Sequence, residues 1–310
     1  MSVSSPVATA IGSIAILLWS CLALLTAGSG AVPPFELAAV TFAIGGAFGL
    51  IWAALRGRLR DLRQPPVVWL LGVGGLFGYH ALYFAALRLA PPAEAGLIAY
   101  LWPLLIVLFS ALLPGERLTA RHVVGAFMGF AGVLALVAGK QFAQGSGLSL
   151  EARYLPGYLL AFCCAFVWST YSVLSRRFKN VPTDAVAGFC CVTAILAAVC
   201  HQLFETQVWP ARSSEFLAIL GLGLGPVGLA FYVWDFGVKR GDIKTLGVAS
   251  YAAPVLSTLI LVAAGFAAAT WSLALACVLI VSGALIASLP RSKGRDLTAA
   301  SPRLSEESSA

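Results

Sequence analysis

Charge is scarce in this chain: Asp, Glu, Lys and Arg make up 11% of its 310 residues, where soluble domains carry roughly one quarter. None of the four occurs from Met1 to Phe35, and none from Thr245 to Pro290. The second stretch is too long for one bilayer-crossing helix of about 20 residues and suits two, joined at Gly265 to Thr270. Asparagine occurs once, as Asn180 between two apolar segments, and carboxylates inside apolar runs are few, which argues against a dedicated Na⁺ site. Walker A, HExxH, GxSxG and CxxC patterns are absent. Nucleotide-driven work within the chain, a metal centre and an intramembrane enzyme therefore lack their signatures, and no cofactor is assigned. The seven cysteines, Cys21, Cys163, Cys164, Cys190, Cys191, Cys200 and Cys277, all lie in apolar segments and read as small packing residues. The N-terminus also lacks a basic segment of the secretory type, so the first apolar stretch is expected to remain as a helix.

What is present is apolar: 60% of residues, in runs centred on 7–27, 36–55, 66–88, 93–113, 121–139, 156–175, 184–204, 215–238, 244–264 and 271–289. Ten spans leave no room for a soluble domain. The net charge of +7 forms no nucleic-acid stripe and is explained by topology. With the N-terminus in the cytoplasm, sixteen of the twenty Lys and Arg residues fall on the inside, among them Arg56, Arg58, Arg60, Arg63, Arg240 and Arg291. Arg88, Lys140, Arg153 and Arg212 fall outside. Both termini are expected in the cytoplasm of a multi-pass inner-membrane protein.

The chain also repeats itself. Tyr83 to Pro103 (YFAALRLAPPAEAGLIAYLWP) matches Trp234 to Pro254 (WDFGVKRGDIKTLGVASYAAP) at an offset of 151, pairing Arg88 with Lys239, Tyr100 with Tyr251 and Pro103 with Pro254. Trp19-Ser20 matches Trp168-Ser169 at 149. Five spans per half is odd, so the second half enters from the opposite face, giving an all-α fold of two inverted-topology repeats. The expected organisation is a first repeat over 1–139, a periplasmic connection over 140–155, a second repeat over 156–290 and a disordered cytoplasmic tail over 291–310.

Ionisable and polar aromatic side chains at bilayer depth are the candidate functional groups. His80 and Asp235 qualify as a substrate-ammonium or proton-coupling site. The alternative is that Asp235 pairs with Lys239 four residues on and that His80 hydrogen-bonds a carbonyl. Trp19, Tyr79, Tyr83, Tyr100, Trp102, Trp168, Tyr171 and Tyr251 fall mid-span, away from the interfacial belts, and are candidates for lining a substrate cavity. Pro103 and Pro254 interrupt equivalent helices and mark a hinge, with Pro226 a third interruption. Glu36, Glu94, Glu205, Glu215 and His201 are expected at helix ends within reach of water, and His122 in a cytoplasmic turn. Gly74/Gly78, Gly125/Gly129 and Gly221/Gly225 are small-xxx-small pairs suited to close helix approach.

Ala86-Leu87, Ala93, Leu97-Ile98, Tyr100 and Pro103 in the fourth span, with Gly115-Glu116-Arg117-Leu118 after it, resemble the EamA modules of the drug/metabolite transporter superfamily. The second half has Gly265 to Thr270 at the corresponding turn and lacks the Glu. Gly78-Tyr-His-Ala-Leu-Tyr83 and Phe231-Tyr-Val-Trp-Asp-Phe-Gly237 are most similar to the YddG-like aromatic amino-acid exporter branch. The resemblance implies a non-enzymatic exporter of aromatic and other neutral amino acids working by alternating access, as a facilitator or coupled to protons. Its partners would be those substrates and the bilayer. Export of another small metabolite stays open, as do an intramembrane enzyme and the oligomeric state, for which a monomer suffices.

Overall fold

The computed structural model describes residues 4–115, 118–145, 151–265 and 268–288. Glu116 and Arg117, part of the expected 140–155 connection, Phe266 and Ala267, and the expected tail 291–310 lie outside the described residues.

Ten apolar helical segments account for almost all of the described chain: α1 (Ser5–Gly28), α2 (Pro34–Leu55), α3 (Pro66–Leu89), α4 (Pro92–Ser110), α5 (Ala120–Ala143), α6 (Ala152–Phe178), α7 (Ala185–Phe204), α8 (Ser213–Arg240), α9 (Ile243–Ala263) and α10 (Trp271–Ser288). Pro occupies the first turn of α2, α3 and α4, and of the α-helical part of α6 (Leu155–Ser175), where its missing N–H costs nothing. Large apolar side chains such as Ile51, Leu55, Leu70, Ile195, Leu203 and Leu217 stand on the outside, more than half exposed. Water would penalise that surface and hydrocarbon does not, which makes the protein a multi-pass membrane protein.

The packing obeys a two-fold exchange of α1–α5 with α6–α10. α5 lies against α10 and α2 against α7, while α3·α6 and α1·α8 are exchange-related pairs. Small residues set the closest crossings: a methyl added at Gly12 of α1 would lie 2.9 Å from the Gly237 Cα of α8, and one at Gly45 of α2 2.7 Å from the Gly228 Cα. Of the glycine pairs expected from the sequence, Gly125/Gly129 does hold a close approach, to Gly283 and the Tyr251 ring. Gly74 has nothing within 4 Å of an added methyl, and Gly78, Gly221 and Gly225 make only ordinary contacts. The motif pattern could not tell these apart, because it reports small residues and not what faces them.

α4 and α9 are both broken, at Tyr100–Leu101 and at Ser250–Tyr251, which end two and three residues before the repeat-equivalent Pro103 and Pro254. α1 is interrupted at Cys21, and α8 loosens into a π-turn over Gly225–Leu229, where Pro226 contributes no N–H. These last two interruptions have no counterpart in α6 and α3.

The carboxylates expected near water at helix ends are instead enclosed. Glu36 and Glu94 are buried, and Glu205 accepts hydrogen bonds from the Phe35 and Glu36 N–H groups at 3.1 Å, Arg88 at 3.1 Å and His201 Nδ1 at 3.1 Å. Glu205 thus caps the start of α2, a helix 170 residues away in sequence, which is why local reading left it in water. Glu215 is half-buried, and His122 sits buried in the first turn of α5 against the Thr119 hydroxyl at 2.7 Å.

Asp242 ties the start of α9 to α1. Its carboxylate accepts from the Lys244 N–H at 3.0 Å and from the Thr245 N–H and hydroxyl at 3.3 and 3.0 Å, while its own N–H donates to Thr9 Oγ1 at 2.8 Å. Burial pushes the carboxyl upward, but these hydrogen bonds and the Lys244 charge outweigh it and hold Asp242 below its ordinary 3.8. A depressed folded value contributes stability that is present above about pH 4 and lost as pH falls through that value. Asp242→Ala is expected to cost about 1 kcal/mol at pH 7 and to flatten the acid limb of a thermal-unfolding series in detergent between pH 5 and 3.

Candidate functional site

Four indoles, one each from α1, α4, α6 and α8, meet at the centre of the bundle. All six centroid separations among Trp19, Trp102, Trp168 and Trp234 lie between 5.1 Å (Trp19–Trp234) and 6.3 Å (Trp102–Trp168 and Trp168–Trp234). Most pairs are tilted or edge-on, the arrangements that aromatic quadrupoles favour. Trp19 Nε1 donates to the Pro226 carbonyl at 3.1 Å, a carbonyl in the π-turn of α8, and Trp234 Nε1 donates to Ser172 Oγ at 3.1 Å. The Trp102 and Trp168 N–H groups have no protein acceptor among the described residues.

Above this cluster opens a cavity of about 630 Å³, within the range of small-molecule sites. It runs towards the end of the bundle where α1 finishes and α4 begins. Seven of the residues expected at a substrate cavity stand on its wall: Trp19, Tyr79, His80, Tyr83, Tyr100, Trp102 and Trp168. Among the described residues no Asp, Glu, Lys or Arg lines it. His80 Nδ1–H donates to the Leu76 carbonyl at 2.7 Å, so that when the ring is neutral Nε2 is its acceptor. Phe42, Tyr79, Phe84 and Phe231 surround the imidazole at 5.0 to 6.2 Å.

Tyr171 and Tyr251 stand off the wall. Tyr171 is buried behind Trp168, centroids 5.3 Å apart. Tyr251 is wholly buried, and its hydroxyl accepts the Leu104 N–H at 3.1 Å. That N–H follows the break in α4, so the second-half tyrosine satisfies the backbone that Pro103 disrupts in the first half. Asp235 is also away from the cavity: Lys239 Nζ lies 2.8 Å from its carboxylate and the Thr183 hydroxyl donates to it at 2.8 Å. The pairing alternative for Asp235 is thus the observed one, and the carbonyl bond of His80 is observed as well.

Sequence reading missed Trp234, Phe231, Gly96 and Ser257 as residues of the site, and took Pro226 only as a helix interruption. Trp234 was legible in principle, since the repeat pairs it with Tyr83. Gly96, likewise, is the repeat partner of Gly247. The two differ in surroundings: an added methyl on Gly247 would meet the Pro103 carbonyl, Ile106 and Val107 of α4 at 3.1 to 3.2 Å, whereas one on Gly96 faces only the Tyr83 hydroxyl, at 3.7 Å. The α4 and α9 halves therefore touch below the indoles and stand apart above them.

The EamA-like transporter family matches this sequence twice, over residues 7–138 and 155–289. The chain belongs to that family. Among its curated relatives, the aromatic amino acid exporter YddG of Ancylobacter novellus is 62% identical over 91% of this EamA-like transporter and 97% of the relative. Proteins of the same name from Salmonella typhimurium and Escherichia coli are 29% and 27% identical, covering 82% and 93% of the chain and 87% and 98% of the relatives. A solved crystal structure, 61% identical, superposes with a TM-score of 0.88 over 92% of this chain and 97% of the other.

Loss of the Tyr251 hydroxyl leaves a buried N–H without an acceptor. Tyr251→Phe is expected to cost about 1–3 kcal/mol, read as a lowered melting temperature, while Tyr100→Phe, on the cavity wall, leaves the melting temperature near that of the parent.

Proposed function

We propose that this EamA-like transporter exports neutral amino acids, aromatic ones favoured, from cytoplasm to periplasm by alternating access, and that it catalyses no reaction. The observation that carries the reading is the uncharged, aromatic-walled cavity, open at one end and closed at the other by the indole cluster. Rings from Tyr79, Tyr83, Tyr100 and Phe231 offer faces to an aromatic side chain. His80 Nε2 accepts from the substrate ammonium, and the Trp102 and Trp168 N–H groups donate to its carboxylate. A substrate with net charge or a phosphate finds no counter-ion in the cavity, which disfavours sugar phosphates and nucleotide conjugates. The names of the YddG relatives support the same substrate class.

In this reading residues 1–139 and 156–290 are the two halves of the cycle, and the Lys and Arg distribution supports a cytoplasmic location for both termini. On that orientation the cavity faces the periplasm. Exchange of the repeats then describes the opposite state: Gly96 takes the tight contact that Gly247 now makes, meeting Pro254, Ser257 and Thr258, the partners equivalent to Pro103, Ile106 and Val107. With Asp235 engaged by Lys239 and Thr183, His80 is the remaining embedded coupling candidate. Its apolar, ring-lined surroundings, which penalise a charge, support a neutral ring and uncoupled facilitation.

Purified protein in liposomes is expected to show saturable phenylalanine flux, with no nucleotide-sugar flux and less than about a twofold response to a pH gradient. His80→Gln is expected to raise the KM by about tenfold, the loss of one good hydrogen bond to a charged group. A gradient response that disappears in His80→Gln would instead establish proton coupling. The repeat exchange has a separate test. Gly96→Leu fits the present open mouth but blocks its closure, so flux is expected to drop at least tenfold while phenylalanine still raises the melting temperature. Full flux in this variant would end the exchange scheme.

A further inference from the structure

A second cavity, of about 500 Å³, lies outside the transport path, between α2, the start of α7 and the last three turns of α8. It is a groove with a graded wall. Phe48 and Leu229 form its apolar end, and both are exposed on the outside of the bundle, where hydrocarbon lies. Arg56, Arg58 and Arg240 form the other end, at the level where α2 and α8 finish. Three guanidiniums face one lining carboxylate, Asp184.

The charges are unequally engaged. Arg58 holds both nearby acids, with Nε 3.0 Å from Asp61 and Nη1 3.6 Å from Asp184. Arg56 and Arg240 have no carboxylate partner among the described residues. Each instead stacks on the aromatic ring one helical turn before it: Arg56 lies 5.8 Å over Trp52 and Arg240 4.5 Å over Phe236. Stacking occupies the face of a guanidinium and leaves its N–H edge for an anion. Two helices thus bring the same aromatic-then-arginine pair, at i and i+4, to one groove.

The opposite end of the bundle makes the contrast. Arg56 caps the C-terminus of α2, and the residue capping the repeat-related α7 is Glu205, which is satisfied internally by Arg88 and the N-terminus of α2. There the protein supplies both signs. At the Arg56 end Arg58 takes both nearby acids, and the guanidiniums of Arg56 and Arg240 are left without an internal anion among the described residues.

We propose that this groove binds an anionic phospholipid, with its phosphodiester between Arg56 and Arg240 and its acyl chains along Phe48 and Leu229. A basic pocket at the membrane interface that continues into a lipid-facing apolar wall suits a molecule having both parts, and a soluble phosphate would use only half of it. The assignment does not depend on which substrate is carried.

The test uses the full-length protein in detergent, with thermal unfolding and native mass spectrometry in added phosphatidylglycerol, phosphatidylcholine or glycerol phosphate. Phosphatidylglycerol is expected to bind preferentially over phosphatidylcholine and to raise the melting temperature more. Arg56→Gln combined with Arg240→Gln should lose at least about tenfold of that preference, since each guanidinium near an anionic surface contributes a factor of about five. Arg60→Gln with Arg63→Gln, which lie outside the groove, should retain it. Should the double groove variant not purify folded, Arg240→Gln alone carries the comparison, with about a fivefold loss expected. Equal binding of the two lipids, or a preference unchanged in the groove variants, overturns the proposal. An equal effect of glycerol phosphate also overturns it, making the groove a site for soluble anions.

Discussion

Everything at the centre of this protein hangs on the mutual contact of Trp19, Trp102, Trp168 and Trp234. Each comes from a different helix: α1 and α6 are related by the repeat and their tryptophans match directly, while α4 and α8 come from opposite halves and are not repeat partners. Rings of this size fill the middle of the bundle where four backbones diverge, so the space above remains open and the helices below are free to close. The π-turn in α8 belongs to the same arrangement, since the carbonyl of Pro226 within it receives the Trp19 N–H. A change at any one of these indoles acts on the cavity floor and on the helix crossings together.

Ten spans were legible in the sequence because lipid enforces a simple rule: long apolar runs, with charge displaced to the ends. The paired breaks were legible through Pro103 and Pro254, and the cavity wall through aromatics that stood too deep for the interfacial belts. What failed to show was whatever depends on a partner far away in the chain. Glu205 reads as a solvated loop acid until the start of α2 is seen against it. Tyr251 reads as a cavity residue by analogy with Tyr100, yet its hydroxyl is taken by the Leu104 N–H. Gly12 and Gly237 stand outside the glycine pairs singled out from the sequence, although they set one of the tightest crossings in the bundle.

The two halves share a plan but not their details. α1 and α8 are interrupted where α6 and α3 run straight, and Tyr251 bonds the opposite half where Tyr100 faces open space. Such differences matter in a device built by duplication, because perfect two-fold identity would make its two faces energetically equivalent. The unequal treatment of the equivalent tyrosines holds the halves of α4 and α9 together on one side only.

The lack of any fixed charge on the cavity wall carries a consequence for energetics. A voltage across the membrane does work only on charge that moves, about 2.3 kcal/mol per elementary charge per 100 mV. A cargo bearing equal plus and minus, carried in a neutral compartment, crosses without being pushed or held back by that voltage. For such a cargo moving without a coupled ion, the difference in concentration between the two sides is the whole of the driving force.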